Sequence, residues 1–66
     1  MEFEIIIRTS GLSEREIADL RQRAGRRAAE LRAERPNAKI FLVEISHTPP
    51  SLNPPPKRLE VKVREE

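Results

Sequence analysis

The fold is decided by Ser13 to Arg35, which reads SEREIADLRQRAGRRAAELRAER. At about 100° per residue its larger apolar side chains fall in one arc, the pattern of a helix that buries one side. Ser13 and Glu16 have the spacing of a capping box, and Pro36 disfavours helical geometry in the residue before it. We therefore predict a helix over residues 13–35. Its buried side is predicted to consist of Ile17, Leu20, Ala24, Ala28 and Leu31.

A second row of small residues follows the same helix, about 120° around its axis from the first. It is formed by Ala18, Gly25, Ala29 and Ala33. Small residues spaced by four let another backbone approach, and a glycine in a helix interior costs about 1 kcal/mol relative to alanine. Alanine is also the best helix former and occupies exposed positions for that reason alone. The row is a candidate contact with another chain.

Three segments around the helix have strand patterns. Residues 2–8 alternate apolar and polar side chains, with Ile6 as the exception, and residues 39–47 are apolar on both faces. Two apolar faces are typical of a central strand, whereas the charged alternation of residues 58–65 is typical of an edge. We predict an α+β fold, a single β-α-β-β domain over residues 1–66. One long helix is expected to pack on one face of a three-stranded mixed sheet.

Connection rules predict how the strands pair. A right-handed crossover makes the first two strands parallel, and residues 48–57 form a proline-rich hairpin loop that returns the third strand antiparallel to the second. The predicted strand order is 1-2-3, with 1-3-2 as the alternative. The predicted core contribution of the sheet is Phe3, Ile5, Ile7, Phe41, Val43, Ile45, Leu59, Val61 and Val63.

The sheet face away from the helix is the leading candidate for an interface. If the first two strands are neighbours, Ile6, Ile40 and Leu42 are expected to cluster on this face. Their expected border is charged, as in protein interfaces, and consists of Glu4, Arg8, Glu44 and Lys62. A chain of 66 residues without cysteine has a small core and no disulfide, which leaves oligomerisation as the common source of added stability. The sequence therefore predicts a homo-oligomer, whose partner is a second copy of the chain.

No set of residues with catalytic spacing is visible. The serines, His47 and Asp19 lack any relation that would suggest a triad, and no glycine-rich phosphate loop occurs. With one histidine and no cysteine, a structural metal site is not expected. We expect no enzymatic activity, no cofactor and no small-molecule substrate. Apolar runs far shorter than a membrane span predict a soluble chain, consistent with cytosolic recombinant expression.

Two binding functions remain as alternatives. Residues 47–57 read HTPPSLNPPPK, and this stiff proline-rich loop could be presented to a protein partner, although it has no P-x-x-P spacing. The helix could also bind nucleic acid through four arginines on one broad face. Acidic residues interleaved among them would repel phosphate, and no aromatic platform accompanies them. These arginines are Arg15, Arg23, Arg26 and Arg27.

The β-α-β opening of a chain of this size is similar in topology to subunits of the 4-oxalocrotonate tautomerase family. Met1 and Glu2 stand where that family has its catalytic N-terminal proline, so the resemblance implies no activity. Nearly the whole chain also resembles computationally designed α/β proteins. The features that it shares with them are the capping box, the loop over residues 35–39, the alternating strand over residues 59–64 and the absence of Cys, Trp and Tyr. A natural protein from a GC-rich genome could also show the arginine, alanine and proline richness.

Overall fold

The computed structural model describes residues 1–47 and 59–65. Within them the chain forms strand β1 (Glu2–Arg8), helix α1 (Glu14–Glu34), strand β2 (Lys39–Ile45) and strand β3 (Lys62–Glu65). The strands make one three-stranded mixed sheet, which confirms the predicted α+β fold with a single helix. β2 and β3 are shorter than the segments over residues 39–47 and 58–65 in which they were expected.

The strand order is β2-β1-β3, so both predicted orders are wrong. β1 and β2 are parallel, as predicted, but β3 pairs antiparallel with β1 and not with β2. The predicted hairpin between the second and third strands is therefore also wrong. β1 holds the centre because Phe3, Ile5 and Ile7 are buried on one face while Ile6 makes the other face apolar too. A link as long as that between β2 and β3 does not require its strands to be neighbours.

The two faces of β2 are the reverse of those predicted. Phe3 of β1 lies beside Ile40, and Ile5 lies beside Leu42. Residues paired in register share a face of a sheet, so Ile40 and Leu42 lie on the face covered by α1. Phe41, Val43 and Ile45, which were expected in the core, lie on the opposite face. A strand with apolar residues on both faces has two self-consistent orientations, and periodicity cannot choose between them.

Helix α1 begins as its capping box predicts. The Ser13 hydroxyl accepts the Glu16 backbone N–H at 3.2 Å, and the Glu16 carboxylate accepts the Ser13 backbone N–H at 3.0 Å. At the other end the Arg35 backbone N–H donates to the Leu31 carbonyl, and the Arg35 guanidinium lies 5.6 Å from the centroid of the Phe3 ring. Both ends of the helix are thus fixed by local contacts.

The core is formed mainly by β1 and α1. Ile5 and Leu20 are its largest fully buried side chains. Leu59 and Val63, both predicted in the core, are 49% and 38% exposed because they lie at the β3 side, beyond the width of one helix. Partly buried residues at the margin of the core are Leu12, Ala38, Ile40 and Val61. Among residues 1–47 and 59–65, the buried core residues are Phe3, Ile5, Ile7, Leu20, Ala24, Ala28 and Leu31.

Gly25 is a position where substitution should stabilise the chain. A Cβ atom built on Gly25 meets nothing within 4 Å, so no contact within the described residues requires glycine there. We expect Gly25→Ala to raise the free energy of unfolding by about 1 kcal/mol through helix propensity alone. In a domain of this size that corresponds to a Tm increase of roughly 4 to 8 °C, measured by thermal melting followed by circular dichroism. A lower Tm would show that Gly25 serves a contact outside the protomer.

Candidate self-association surface

The sheet face opposite α1 presents an apolar centre that no described residue covers. It consists of Phe41, Val43 and Ile45 on β2 and Ile6 on β1, and is called here the open face. Phe41 is 48% exposed, a large value for an aromatic side chain within a strand. The other three side chains are half-buried by their neighbours in the sheet. Four adjoining apolar residues on two paired strands form a contiguous surface, whereas single exposed apolar residues are commonplace.

Charged residues of both signs border the open face on the β3 side. Glu4 of β1 and Arg64 of β3 are register partners, and their side chains approach to 3.5 Å. Lys62 lies beside Ile6 in the same ladder, and its ammonium is 4.0 Å from the Glu60 carboxylate. An apolar centre beside a border of mixed charge is the usual anatomy of a protein interface.

Of the three predicted interface residues on the sheet, only Ile6 lies on the open face. Ile40 packs against the core, and Leu42 is 60% exposed at the margin of the helix-covered face. Sequence reasoning missed Phe41, Val43 and Ile45 because it assigned β2 the wrong face. Glu44 was expected to lie on the face away from the helix because it is charged. It lies on the helix-covered face instead, where a residue of α1 forms an ion pair with it.

That partner is Arg21. Its Nε donates to one Glu44 carboxylate oxygen at 2.6 Å, and its Nη2 donates to the other at 3.2 Å. The hydrogen bonds from Arg21 lower the pKa of Glu44, and the same bonds raise the pKa of Arg21. Because both side chains are well exposed, the pair contributes little stability. It does fix which flank of α1 lies over β2.

A shallow groove opens between α1 and β2 beside this ion pair. Its volume is about 230 Å³, and its walls are mainly apolar. The exposed Leu42 side chain forms one wall, with Ala24 of the helix opposite. Ligand pockets are usually larger, in the range of about 300 to 1,000 Å³, and mostly bury their ligand. The groove is therefore better suited to receive a neighbouring side chain than a small molecule.

The row of small residues on α1 is exposed along its length. Ala18, Gly25, Ala29 and Ala33 contribute nothing to the core. Arg21 marks the β2 side of the helix, and at about 100° per residue Gly25 and Ala18 follow it within about 60° on that flank. Gly25 and Ala18 thus point sideways, past the edge formed by β2, whereas Ala29 and Ala33 turn progressively away from the sheet.

The helix arginines do not make a basic surface. Arg23, Arg26 and Arg27 line a groove of about 390 Å³ on the β3 side, together with Glu30 and Glu60. Arg27 donates to Glu30 at 2.9 Å, and Arg23 donates to the Leu59 carbonyl at 2.9 Å. These contacts hold the segment before β3 against the helix, and the acids offset much of the positive charge.

The remaining sequence predictions concern metals, membranes and the proline-rich loop. Residues 1–47 and 59–65 contain no group of three or more His, Cys, Asp or Glu side chains placed to hold a metal ion. Among the same residues, α1 is not apolar enough to cross a bilayer. The loop over residues 48–57 lies outside the described residues.

Comparison with protein-family models, with curated proteins and with solved structures found no match to this chain.

Proposed function

We propose that the chain is a self-assembling structural subunit, and that the open face is buried against a second copy of the same chain. The observation that carries this proposal is the apolar surface of Ile6, Phe41, Val43 and Ile45 on the side of the sheet opposite α1. A three-stranded sheet with one helix has only two layers, and an apolar second face is stable when another layer covers it. The proposal assigns no catalytic or cofactor-binding residue.

A second copy suits this surface better than an unrelated ligand would. A contact about a two-fold axis uses the same surface on both subunits, so that surface must complement itself. The border of the open face carries both signs, with Glu4 and Glu60 near Arg64 and Lys62. A rotated copy can therefore place acids against bases, while two sheets pack about 10 Å apart through their apolar residues.

Presentation of the proline-rich loop to a protein partner stays a prediction, because the loop lies outside the described residues. Nucleic-acid binding is less well supported, since Arg27 and Arg23 are engaged with Glu30 and the Leu59 carbonyl. Designed origin also stays a prediction. Both bonds of the capping box are what design rules specify, whereas an uncontacted Gly25 inside α1 departs from them.

The proposal is tested by solution mass and by one charge placed on the open face. At micromolar concentration, size exclusion with light scattering should give a mass above that of one chain. Phe41→Glu should weaken association at least tenfold, because burying an unpaired carboxylate costs more than the 1.4 kcal/mol that a factor of ten represents.

Gln22→Glu is the matched control, since it adds the same charge at an exposed helix position outside the row of small residues and the open face. It should leave the mass unchanged. If Ala29→Glu dissociates the protein and Phe41→Glu does not, the row of small residues is the contact. A wild-type protein that is monomeric would overturn the proposed function.

A further inference from the structure

The outer edge of β2 is the second unusual surface of the molecule. Within the described residues β2 has one neighbour, β1, so its other side is an edge. Exposed edges that are long and apolar pair readily with other strands, and proteins usually protect them with charge. β3 is protected in this way, because its four residues Lys62–Glu65 include three charged ones. β2 has seven residues, and its interior from Ile40 to Val43 is entirely apolar.

The backbone of β2 shows which groups face outward. The Lys39 N–H donates to the Met1 carbonyl at 3.0 Å, and the Ile45 carbonyl accepts the Thr9 N–H at 2.9 Å. Both residues therefore direct their backbone groups toward β1. Because these directions alternate along a strand, the N–H and C=O groups of Ile40, Leu42 and Glu44 point away from the sheet. The outward row is centred on Leu42.

We propose that β2 pairs with β2 of a second copy in antiparallel orientation, with Leu42 on the two-fold axis. Leu42 and the partner's Leu42 would then exchange both backbone hydrogen bonds. Ile40 would do the same with the partner's Glu44, which satisfies the whole outward row at both ends. The product is a continuous six-stranded sheet with both helices on one face. This inference rests on the proposed self-assembly and adds a second contact to it, because the edge pair leaves the open faces of both copies uncovered, side by side on one surface.

Side chains on both faces fit this register. On the helix-covered face, the 60% exposed Leu42 meets its own symmetry mate at the mouth of the apolar groove beside Ala24. On the other face, Phe41 lies across from the partner's Val43, so the open face continues into the second subunit. Aromatic and β-branched residues make favourable cross-strand pairs.

Like charges stay apart in this arrangement. The two Glu44 residues are offset by four positions, or about 14 Å along the strands, and the two Lys39 residues by about 20 Å. Each Glu44 retains Arg21 of its own chain as partner. No like-charged residues of β2 face each other across the pair.

The helices also have room. Because α1 packs on β1, two helices would be separated by three strand spacings, or about 14 Å, which exceeds the helix diameter of about 10 to 12 Å. The flanks that face each other carry Gly25 and Ala18 beside Arg21 and Arg32, and the two small residues leave space between the helices for the arginine side chains. The position of Ala18 and Gly25 on α1 thus has an explanation at this edge.

Cysteine cross-linking tests the register, because the chain has no cysteine of its own. Leu42→Cys should form a disulfide-linked dimer under mild oxidation, since hydrogen-bonded partners have Cα atoms about 5.5 Å apart, within disulfide range. Ile40→Cys is the matched control on the same outward row. Its symmetry mate is about 14 Å away, so it should not cross-link by itself. A mixture of Ile40→Cys and Glu44→Cys should give a heterodimer.

A proline substitution tests the backbone contribution. Leu42→Pro removes the two central donors of the dimer without removing a hydrogen bond to β1, so it should preserve the circular dichroism spectrum and weaken dimerisation at least tenfold. Leu42→Ala keeps the backbone N–H and should weaken dimerisation less than Leu42→Pro does. An oligomer with no Leu42→Cys cross-link would refute the edge pairing while leaving the proposed function intact. A polymer that grows with concentration would refute the two-fold pair in favour of head-to-tail contacts, and a monomer would refute both proposals.

Discussion

The Leu20→Ala variant should be largely unfolded at room temperature. Leu20 is fully buried at the centre of the helix side that packs on β1. Truncating a buried leucine to alanine lowers the free energy of unfolding by about 2 to 5 kcal/mol. The core of a chain of this size rarely contributes more than about 3 to 5 kcal/mol to that free energy. One side chain therefore carries a share of the stability comparable to the total. Urea unfolding followed by circular dichroism, at a protein concentration where the wild type is folded, measures the loss.

Leu59→Ala is the matched control, because it deletes the same atoms from a side chain that is 49% exposed. The Leu59 carbonyl that accepts from Arg23 is a backbone group and survives the substitution. We expect a loss of less than about 1 kcal/mol, since only the buried part of the side chain changes environment. Equal losses for the two variants would mean that the core does not lie where β1 and α1 meet.

Local sequence signals account for the elements that were predicted well. The helix was placed over residues 13–35, and the structure has it at Glu14–Glu34 with Ser13 and Arg35 as its caps. A capping box and a proline affect only the backbone of residues within a few positions of them. The ends of the helix can therefore be predicted from the local sequence alone. β1 was placed over residues 2–8, the same residues that form it, for a similar reason.

Local sequence patterns do not determine the order of the strands in the sheet. β2 is more continuously apolar than β1, which favoured it as the central strand, yet Ile5 is fully buried and Phe41 is 48% exposed. The choice depends on where one helix lies across the sheet, and that is a property of the whole chain. β1 takes the centre because Phe3, Ile5 and Ile7 are buried beneath α1 on one face while Ile6 makes the other face apolar too.

The sequence predicted an apolar surface on the sheet, but only one of the three sheet residues assigned to it lies there. An apolar sheet face with a charged border was expected and is present, and Ile6 belongs to it. Ile40 and Leu42 were assigned to it through the wrong orientation of β2. The error has a structural origin: Glu44 looked like a solvent-facing residue, but Arg21 from the helix reaches it at the sheet margin. A polar residue on the covered face of an edge strand is tolerated because water and long side chains reach it.

Val43→Pro should unfold the chain, although Leu42→Pro one residue earlier should not. The alternation set by Lys39 and Ile45 directs the Val43 N–H toward β1, so proline at 43 removes a hydrogen bond inside the parallel ladder. Leaving its acceptor unpaired costs about 1 to 3 kcal/mol, and the pyrrolidine ring would also press against the central strand. In a domain with so small a core, that loss is comparable to the total stability.

The comparison of these two prolines separates the inner and outer sides of one strand. Proline is tolerated on edge strands where its missing N–H would have faced solvent, which is the situation of Leu42. Far-UV circular dichroism and urea unfolding of both variants, at concentrations below the association range, isolate the effect within one protomer. If Leu42→Pro proved as destabilising as Val43→Pro, the outward direction of the Leu42 N–H would be wrong. The pairing of β2 with a second copy about Leu42 would then lose its backbone basis.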